Sequence, residues 1–343
     1  MNKISLSLVA ATLLAGVVLM ILGGAVIWGG PSPIAALDSV NQPFAGLDYS
    51  AMPQVSRFTA RDGTQLAYRH YLAGAPGATS EATAASPTTA PPPRRIVLIH
   101  GSSASSRSLH PMAMALQAAG FTVDALDVRG HGDSVPKGHV AYIGQLEDDL
   151  ADFIKAVPFT GPNTLVGFSA GAGFALRFSA SPQQALFDRY VLLAPFLIGA
   201  NSNRPGGGGW ASVGIPRIVA LTVLNRFGIS RWNHLPVTQF ALNAEASKIL
   251  TQQYSYALAT NFGAHLDYAD DIKNAAPSLK LLAGVDDELM FSERYAAVFQ
   301  AAGKTVPVTL VPGASHIGLT LNPPALAAIV KAALDTNQPR STP

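Results

Sequence analysis

Residues 164–171 read Thr164-Leu165-Val166-Gly167-Phe168-Ser169-Ala170-Gly171. An apolar run suited to a buried strand leads into Gly-x-Ser-x-Gly, and helix-compatible residues follow from about Ala170 to Ala180. The pattern predicts strand, sharp turn and helix in succession. Such a turn lifts a serine hydroxyl above a sheet at the cost of strained dihedrals on the serine. Glycines two residues to either side leave room for neighbouring backbone. The helix behind the serine offers the positive end of its dipole, and the N–H of Ala170 is placed to face a developing oxyanion.

A glycine-rich nucleotide-binding turn is the competing reading, because Gly167, Gly171 and Gly173 also spell G-x-x-x-G-x-G. That reading requires the motif near the start of its fold, and here several strands precede it. Short-chain dehydrogenases also need Tyr-x-x-x-Lys, and no tyrosine in this chain has lysine four positions on.

Outward from the serine, the chain alternates. Short apolar runs near Ile96–Ile99, Thr122–Leu126, Thr164–Val166, Tyr190–Leu193, Leu279–Ala283 and Val306–Val311 read as strands. Helical stretches fall near Leu109–Ala119, Ile143–Val157, Ala170–Ala180 and Pro324–Leu334. Strand–helix alternation predicts an α/β fold with a mostly parallel sheet and helices on both faces. The strands are mostly apolar and do not alternate, as burial on both faces requires. Ligands bind such sheets beyond the carboxyl ends of the strands. Before these, Val55–Ala60 and Gln65–Tyr71 flank Asp62-Gly63, a hairpin signal.

The alternation lapses between about residues 196 and 265. This insertion carries Trp210, Phe227, Trp232, Phe240, Tyr254, Tyr256 and Phe262. It reads either as a helical subdomain with its own core or as a cap whose aromatics line an apolar substrate pocket. Residues 73–93 hold only Ala, Gly, Pro, Ser, Thr and one Glu, and read as a flexible loop. The main domain is expected over 54–335, with a linker over 31–53 and a tail over 336–343.

The chain has 343 residues, 48% of them hydrophobic and only 13% charged, with net charge +2 and no cysteine. A large core is available, and a disordered polyelectrolyte is excluded. The small net charge without a Lys/Arg run argues against a nucleic-acid partner. Without cysteine there is no disulfide, no thiolate chemistry and no cysteine-based metal site. H-E-x-x-H is absent, so neither metal nor cofactor is expected.

From Ile4 to Trp28 no residue is charged, and Lys3 precedes the run. As a helix it would span about 37 Å, against a hydrocarbon core of about 30 Å. Residues 1–30 therefore read as a membrane anchor, with a cleaved secretory signal as the alternative. Either places the main domain outside the cytoplasm.

Three further segments, with the serine turn, make the chain resemble an α/β-hydrolase. His100-Gly101-Ser102-Ser103 follows a strand where that family has its oxyanion loop. Asp127-Val128-Arg129-Gly130-His131-Gly132-Asp133-Ser134 is similar to the D-x-R-G-H-G-x-S segment of the monoacylglycerol lipase and lysophospholipase-like branch. Gly313-Ala314-Ser315-His316 follows the last strand, where the family places its catalytic histidine. The resemblance covers about residues 55–335. It implies a serine esterase with Ser169 as nucleophile, His316 as base and an acid in Gly284-Val285-Asp286-Asp287-Glu288. The family's G-x-x-D selects Asp287, while Asp286 and Glu288 stand beside it as solvated or turn-capping groups. The N–H groups of Ser102 and Ala170 are the expected oxyanion donors. Ser103 is the other candidate in that loop, because the HGGG sequence of some esterases is absent. Arg129 and Asp133 are expected to tie their loop. The implied substrate is a carboxylic ester, lipid-like such as a monoacylglycerol or lysophospholipid. Two other readings stay open: an acyltransferase or hydrolase of another acyl bond using the same three residues, and a non-catalytic binding protein on this scaffold.

Overall fold

The computed structural model describes residues 3–44, 46–74 and 93–335, the side chains of residues 3–11 and of Val40 excepted. Most of the expected 73–93 loop and all of the 336–343 tail lie outside the described residues.

The strands, in chain order, are β1 (Val55–Thr59), β2 (Gln65–Tyr71), β3 (Arg95–Ile99), β4 (Thr122–Leu126), β5 (Asn163–Phe168), β6 (Arg189–Leu193), β7 (Ala211–Val213), β8 (Pro236–Phe240), β9 (Gln253–Ser255), β10 (Leu279–Gly284) and β11 (Val308–Val311). Eight of them make one sheet in the order β1-β2-β4-β3-β5-β6-β10-β11. The first two pairings are antiparallel and the others parallel. Every residue of β3, β4 and β10 is buried, which is why these strands read as continuous apolar runs instead of alternating. Asp62-Gly63 makes the β1–β2 turn, with Gly63 at positive φ (84°) and the Thr64 N–H bonded to the Asp62 carboxylate.

The helices are α1 (Lys3–Trp28), α2 (Asp38–Asn41), α3 (His110–Ala118), α4 (Gln145–Ala156), α5 (Ala170–Ser179), α6 (Ile215–Arg226), α7 (Ala246–Ile249), α8 (Tyr256–Asn261), α9 (Tyr268–Asn274), α10 (Tyr295–Ala301) and α11 (Pro323–Leu334). α3 packs with α11, and α5 with α9, so helices form two layers on the sheet. The carboxyl ends of β3, β5 and β10 converge beneath the insertion. That insertion contains α6 and α8, and also a three-stranded antiparallel sheet β7-β8-β9 that hydropathy did not signal. These strands are three to five residues long, too short to show a period.

The N-terminal run is helical, but among the described residues no helix is long and apolar enough to cross a membrane. The expected membrane crossing is thus not supported among the described residues. What α1 does is pack its end on the insertion. Val26 is buried with Ala220, Leu221, Val237 and Tyr256, and Leu22 and Ala25 pack against the same cluster. Arg217 fixes the contact. Its Nε donates to the carbonyl of Val26 (2.8 Å), Nη2 to that of Ile27 (2.8 Å) and Nη1 to that of Pro236 (2.7 Å). A guanidinium here satisfies the orphan carbonyls of the last helical turn and complements the negative end of its dipole. Nor is 31–53 a free linker: Leu37, Asn41 and Phe44 pack onto the domain.

Arg217→Ala removes three charge-assisted hydrogen bonds, each worth about 1.5–3 kcal/mol. Local opening of the α1 end should rise at least about tenfold, since 1.4 kcal/mol is a factor of ten. Limited proteolysis between residues 28 and 36, timed against wild type, measures it; an equal cleavage rate would show that Arg217 does not hold the helix.

Candidate active site

Ser169 follows the last residue of β5 and precedes the first of α5. Its backbone sits at φ 55°, ψ −117°, a region that costs a non-glycine residue about 1–3 kcal/mol. The surroundings hold it there. The Ser169 N–H donates to the carbonyl of Leu193, and its own carbonyl accepts from Ala172, Gly173 and Phe196, all within 3.1 Å. The flanking glycines are forced by contact: a Cβ on Gly167 would lie 2.2 Å from the Gly171 carbonyl oxygen, and one on Gly171 would lie 2.2 Å from that of His100.

The hydroxyl oxygen of Ser169 lies 3.0 Å from His316 Nε2, and His316 Nδ1 lies 2.7 Å from Asp287 Oδ2. A carboxylate only accepts, so Nδ1 carries the hydrogen and Nε2 is left to accept from the serine O–H. The imidazole also lies 4.8 Å, centroid to centroid, from the ring of Phe168. Asp287 is completely buried, and its Oδ1 accepts the N–H groups of Leu289 and Met290 at 2.8 Å. Those bonds turn Oδ2 toward the imidazole. The neighbouring acids do other things. Asp286 is exposed, and Glu288 accepts the backbone N–H of His316 at 2.9 Å, helping to hold the histidine from outside. Among the described residues no group of acids and histidines could hold a metal.

Ser102 lines the same cavity as Ser169, and no described partner takes up the N–H of Ser102 or of Ala170. Ser103 is different. Its backbone is left-handed (φ 67°), and its N–H is spent on the hydroxyl oxygen of Tyr254 at 2.6 Å. That tyrosine comes from β9 of the insertion, where the sequence marks it only as one of several aromatics of a core or a pocket. Its O–H meets His131 Nε2 at 2.6 Å, while His131 Nδ1 faces the carbonyls of Val128 and Arg129 at 3.2 Å. Carbonyls only accept, so Nδ1 is the protonated nitrogen and Nε2 accepts from Tyr254. His100 has the same tautomer: Nδ1 donates to the Gly101 carbonyl, and Nε2 accepts from the Val128 N–H. Burial pushes both imidazoles down, His131 well below the ordinary histidine value. The two rings meet edge to face, 4.7 Å between centroids, without charge beneath the site.

The 127–134 loop is tied much as expected, with a shift of emphasis. Arg129 bonds to Asp149 (2.7 Å) and Asp62 (3.0 Å). Asp127 is the hub, its carboxylate accepting the N–H groups of Ser106 and Asp133, whereas the Asp133 side chain is half exposed. The tryptophans separate too. Trp210 lines the cavity, but Trp232 packs on the cluster shared with α1 and α6, so the insertion's aromatics divide between the two readings, pocket lining and core.

Sheet order, the serine between β5 and α5 and the histidine after β11 together define an α/β-hydrolase. A family model described as serine aminopeptidase, S33, matches residues 90–320, and the chain belongs to that family. It is similar to an AB hydrolase superfamily protein, YisY, of Bacillus subtilis: 31% identity over 33% of this chain and 41% of that protein. It is also similar to Methylesterase 17 of Arabidopsis thaliana, at 32% identity over 32% of this chain and 38% of that protein. The chain thus spans about two fifths of the length of the curated relatives it matches. Among solved structures, a soluble variant of monoglyceride lipase from Saccharomyces cerevisiae superposes with TM-score 0.60 at 17% identity, over 85% of this chain and 96% of that one.

Tyr254→Phe keeps the ring among Phe240, Phe262 and His131 but strands the Ser103 N–H and His131 Nε2, at about 1–3 kcal/mol for each buried orphan. A fall in Tm of about 3–8 °C and a drop in ester turnover of about tenfold or more are expected. Unchanged Tm and turnover would show that the hydroxyl does not set the 102–103 loop.

Proposed function

We propose that the protein is a serine hydrolase that cleaves carboxylic esters through an acyl-enzyme. The observation that carries this reading is the buried line Ser169 Oγ, His316 Nε2, His316 Nδ1, Asp287 Oδ2, with its 3.0 and 2.7 Å separations. Ser169 attacks the acyl carbon as its proton passes to His316 Nε2. Asp287 keeps the imidazole in the required tautomer and stabilises the imidazolium. The N–H groups of Ser102 and Ala170 receive the oxyanion. Collapse expels the alcohol, which takes the proton from His316. Water, deprotonated by the same imidazole, then releases the acid and restores Ser169.

The substrate proposal is an ester with an apolar acyl group. Phe44, Leu109, Trp210, Leu242, Leu250 and Ile317 supply an apolar lining beside Ser169. The likeness to a monoglyceride lipase supports a lipid-like ester. The family name favours a second reading, hydrolysis of an amide by the same residues, which p-nitroanilides compared with p-nitrophenyl esters would separate. For location, we propose that α1 lies against a lipid surface with the hydrolase domain outside the cytoplasm. Leu13, Leu14, Leu19, Met20 and Ile21 are each more than 60% exposed, an apolar surface that water disfavours. Recovery of the full-length protein in the supernatant after a high-salt wash of membranes would defeat this placement.

Ser169→Ala should keep the fold and lower ester turnover by several decades, about 10⁶ by the scale of other serine triads. Near-normal turnover in the purified variant would sink the mechanism. Asp287→Asn keeps the shape but loses the charge, and should cost a factor of about 10²–10⁴. Asp286→Asn, at an exposed position, should cost less than about tenfold. Comparing kcat of the two asparagine variants, with folding checked by circular dichroism, tests the assignment of the acid.

A further inference from the structure

We infer that residues 37–44 and 46–49, which precede the family match, form a fixed wall of the acyl site and limit the length of acyl chain accepted. This rests on the ester reading above. The segment is pinned at both ends. At the cap end, the Leu37 N–H and Asn41 Nδ2 both donate to the carbonyl of Ala241, at 3.0 and 2.8 Å. Asn41 Oδ1 in turn accepts the N–H of Asn243 at 3.1 Å. Asn41 thus uses both ends of its amide on one turn of the insertion, as a backbone pairing would. At the core end, the Arg107 guanidinium lies 3.7 Å over the ring of Tyr49, which also stacks on His110 at 5.8 Å. Arg107 and His110 sit in the turn that leads into α3, on the chain immediately after the oxyanion loop.

Between those anchors, Asn41 and Phe44 face the cavity that holds Ser169 and His316. The cavity is about 40 Å³. Sites for drug-sized ligands run to about 300–1,000 Å³. With the wall in place the space beside the serine is small, and an extended chain would have to displace the wall or run past it. The lining that a longer chain would need is present: Trp210, Leu242 and Leu250 lie around the same cavity. The segment closes the space that they would otherwise offer, and Phe44 is its largest side chain on the cavity.

The test is the ratio of kcat/KM for p-nitrophenyl octanoate to that for p-nitrophenyl acetate, in the full-length protein. Phe44→Ala should raise the ratio at least about tenfold, the gain from roughly two newly buried methylenes. Phe44→Trp should lower it. Asn41→Ala, which unties the cap end without trimming the ring, should move it in the same direction as Phe44→Ala. Thermal melts check that each variant is folded. A ratio that none of the three moves, with wild-type protein turning over acetate, would overturn the wall while leaving the ester reading intact. No turnover of either ester by wild-type protein would overturn both.

Discussion

The left-handed backbone of Ser169 is the constraint to which the rest of the molecule is fitted. A residue with a side chain is held where glycine would be at ease, because its own carbonyl is gripped by three N–H groups and its N–H by β6. That grip needs α5 to begin at once, Phe196 to turn back toward it, and the backbones at positions 99–100, 167 and 171 to approach too closely for a Cβ. The local strain is supported by the buried, parallel strands at the centre of the sheet, whose close packing resists relaxing it. The hydroxyl therefore projects from a rigid turn, and the more distant parts of the chain, after β10 and β11, have only to bring one carboxylate and one imidazole to it.

Charge under the site is handled by exclusion. Two buried imidazoles are kept neutral by desolvation, and each is fixed in one tautomer by a carbonyl on Nδ1. A neutral chain runs from the Ser103 N–H through the Tyr254 hydroxyl to His131, and every hydrogen bond in it has a determined direction. The insertion thus holds the 102–103 turn as well as lining the cavity, and it cannot shift as a rigid body without disturbing the backbone beside Ser102. With the 103 amide occupied, the neighbouring 102 amide is the one left facing the cavity.

The sequence made some of this plain and left the rest unseen, for physical reasons. Central strands declared themselves because burial on both faces demands unbroken apolar runs. Ser169 did so because its turn allows so few residues at the flanking positions. His316 stood out by its place after the last strand. Asp287 could be chosen over its neighbours only through family likeness, because three consecutive acids look alike until hydrogen bonds from Leu289 and Met290 orient one of them. Tyr254 gave no signal beyond being one of several aromatics, since a three-residue strand has no period to read. Arg217, Asn41 and Phe44 gave none either: their partners lie about 190 positions away for Arg217 and 200 for Asn41, and nothing local marks such contacts. The same distance explains why residues 31–53 read as a spacer.

The ties along the N-terminal stretch follow one another closely. The Gly29 carbonyl accepts the Arg217 N–H, the Ser32 N–H reaches the Ser212 hydroxyl, Leu37 and Asn41 hold Ala241, and Tyr49 is caught under Arg107. Between the first two anchors lie only residues 30 and 31, and between the second and third only 33–36, so the chain has little slack to spool out. A segment with slack isolates what it joins; a taut one transmits displacement. A pull on α1 would therefore be felt at the side of the cavity, because every tie between the helix and the serine pocket lies on one short stretch of chain.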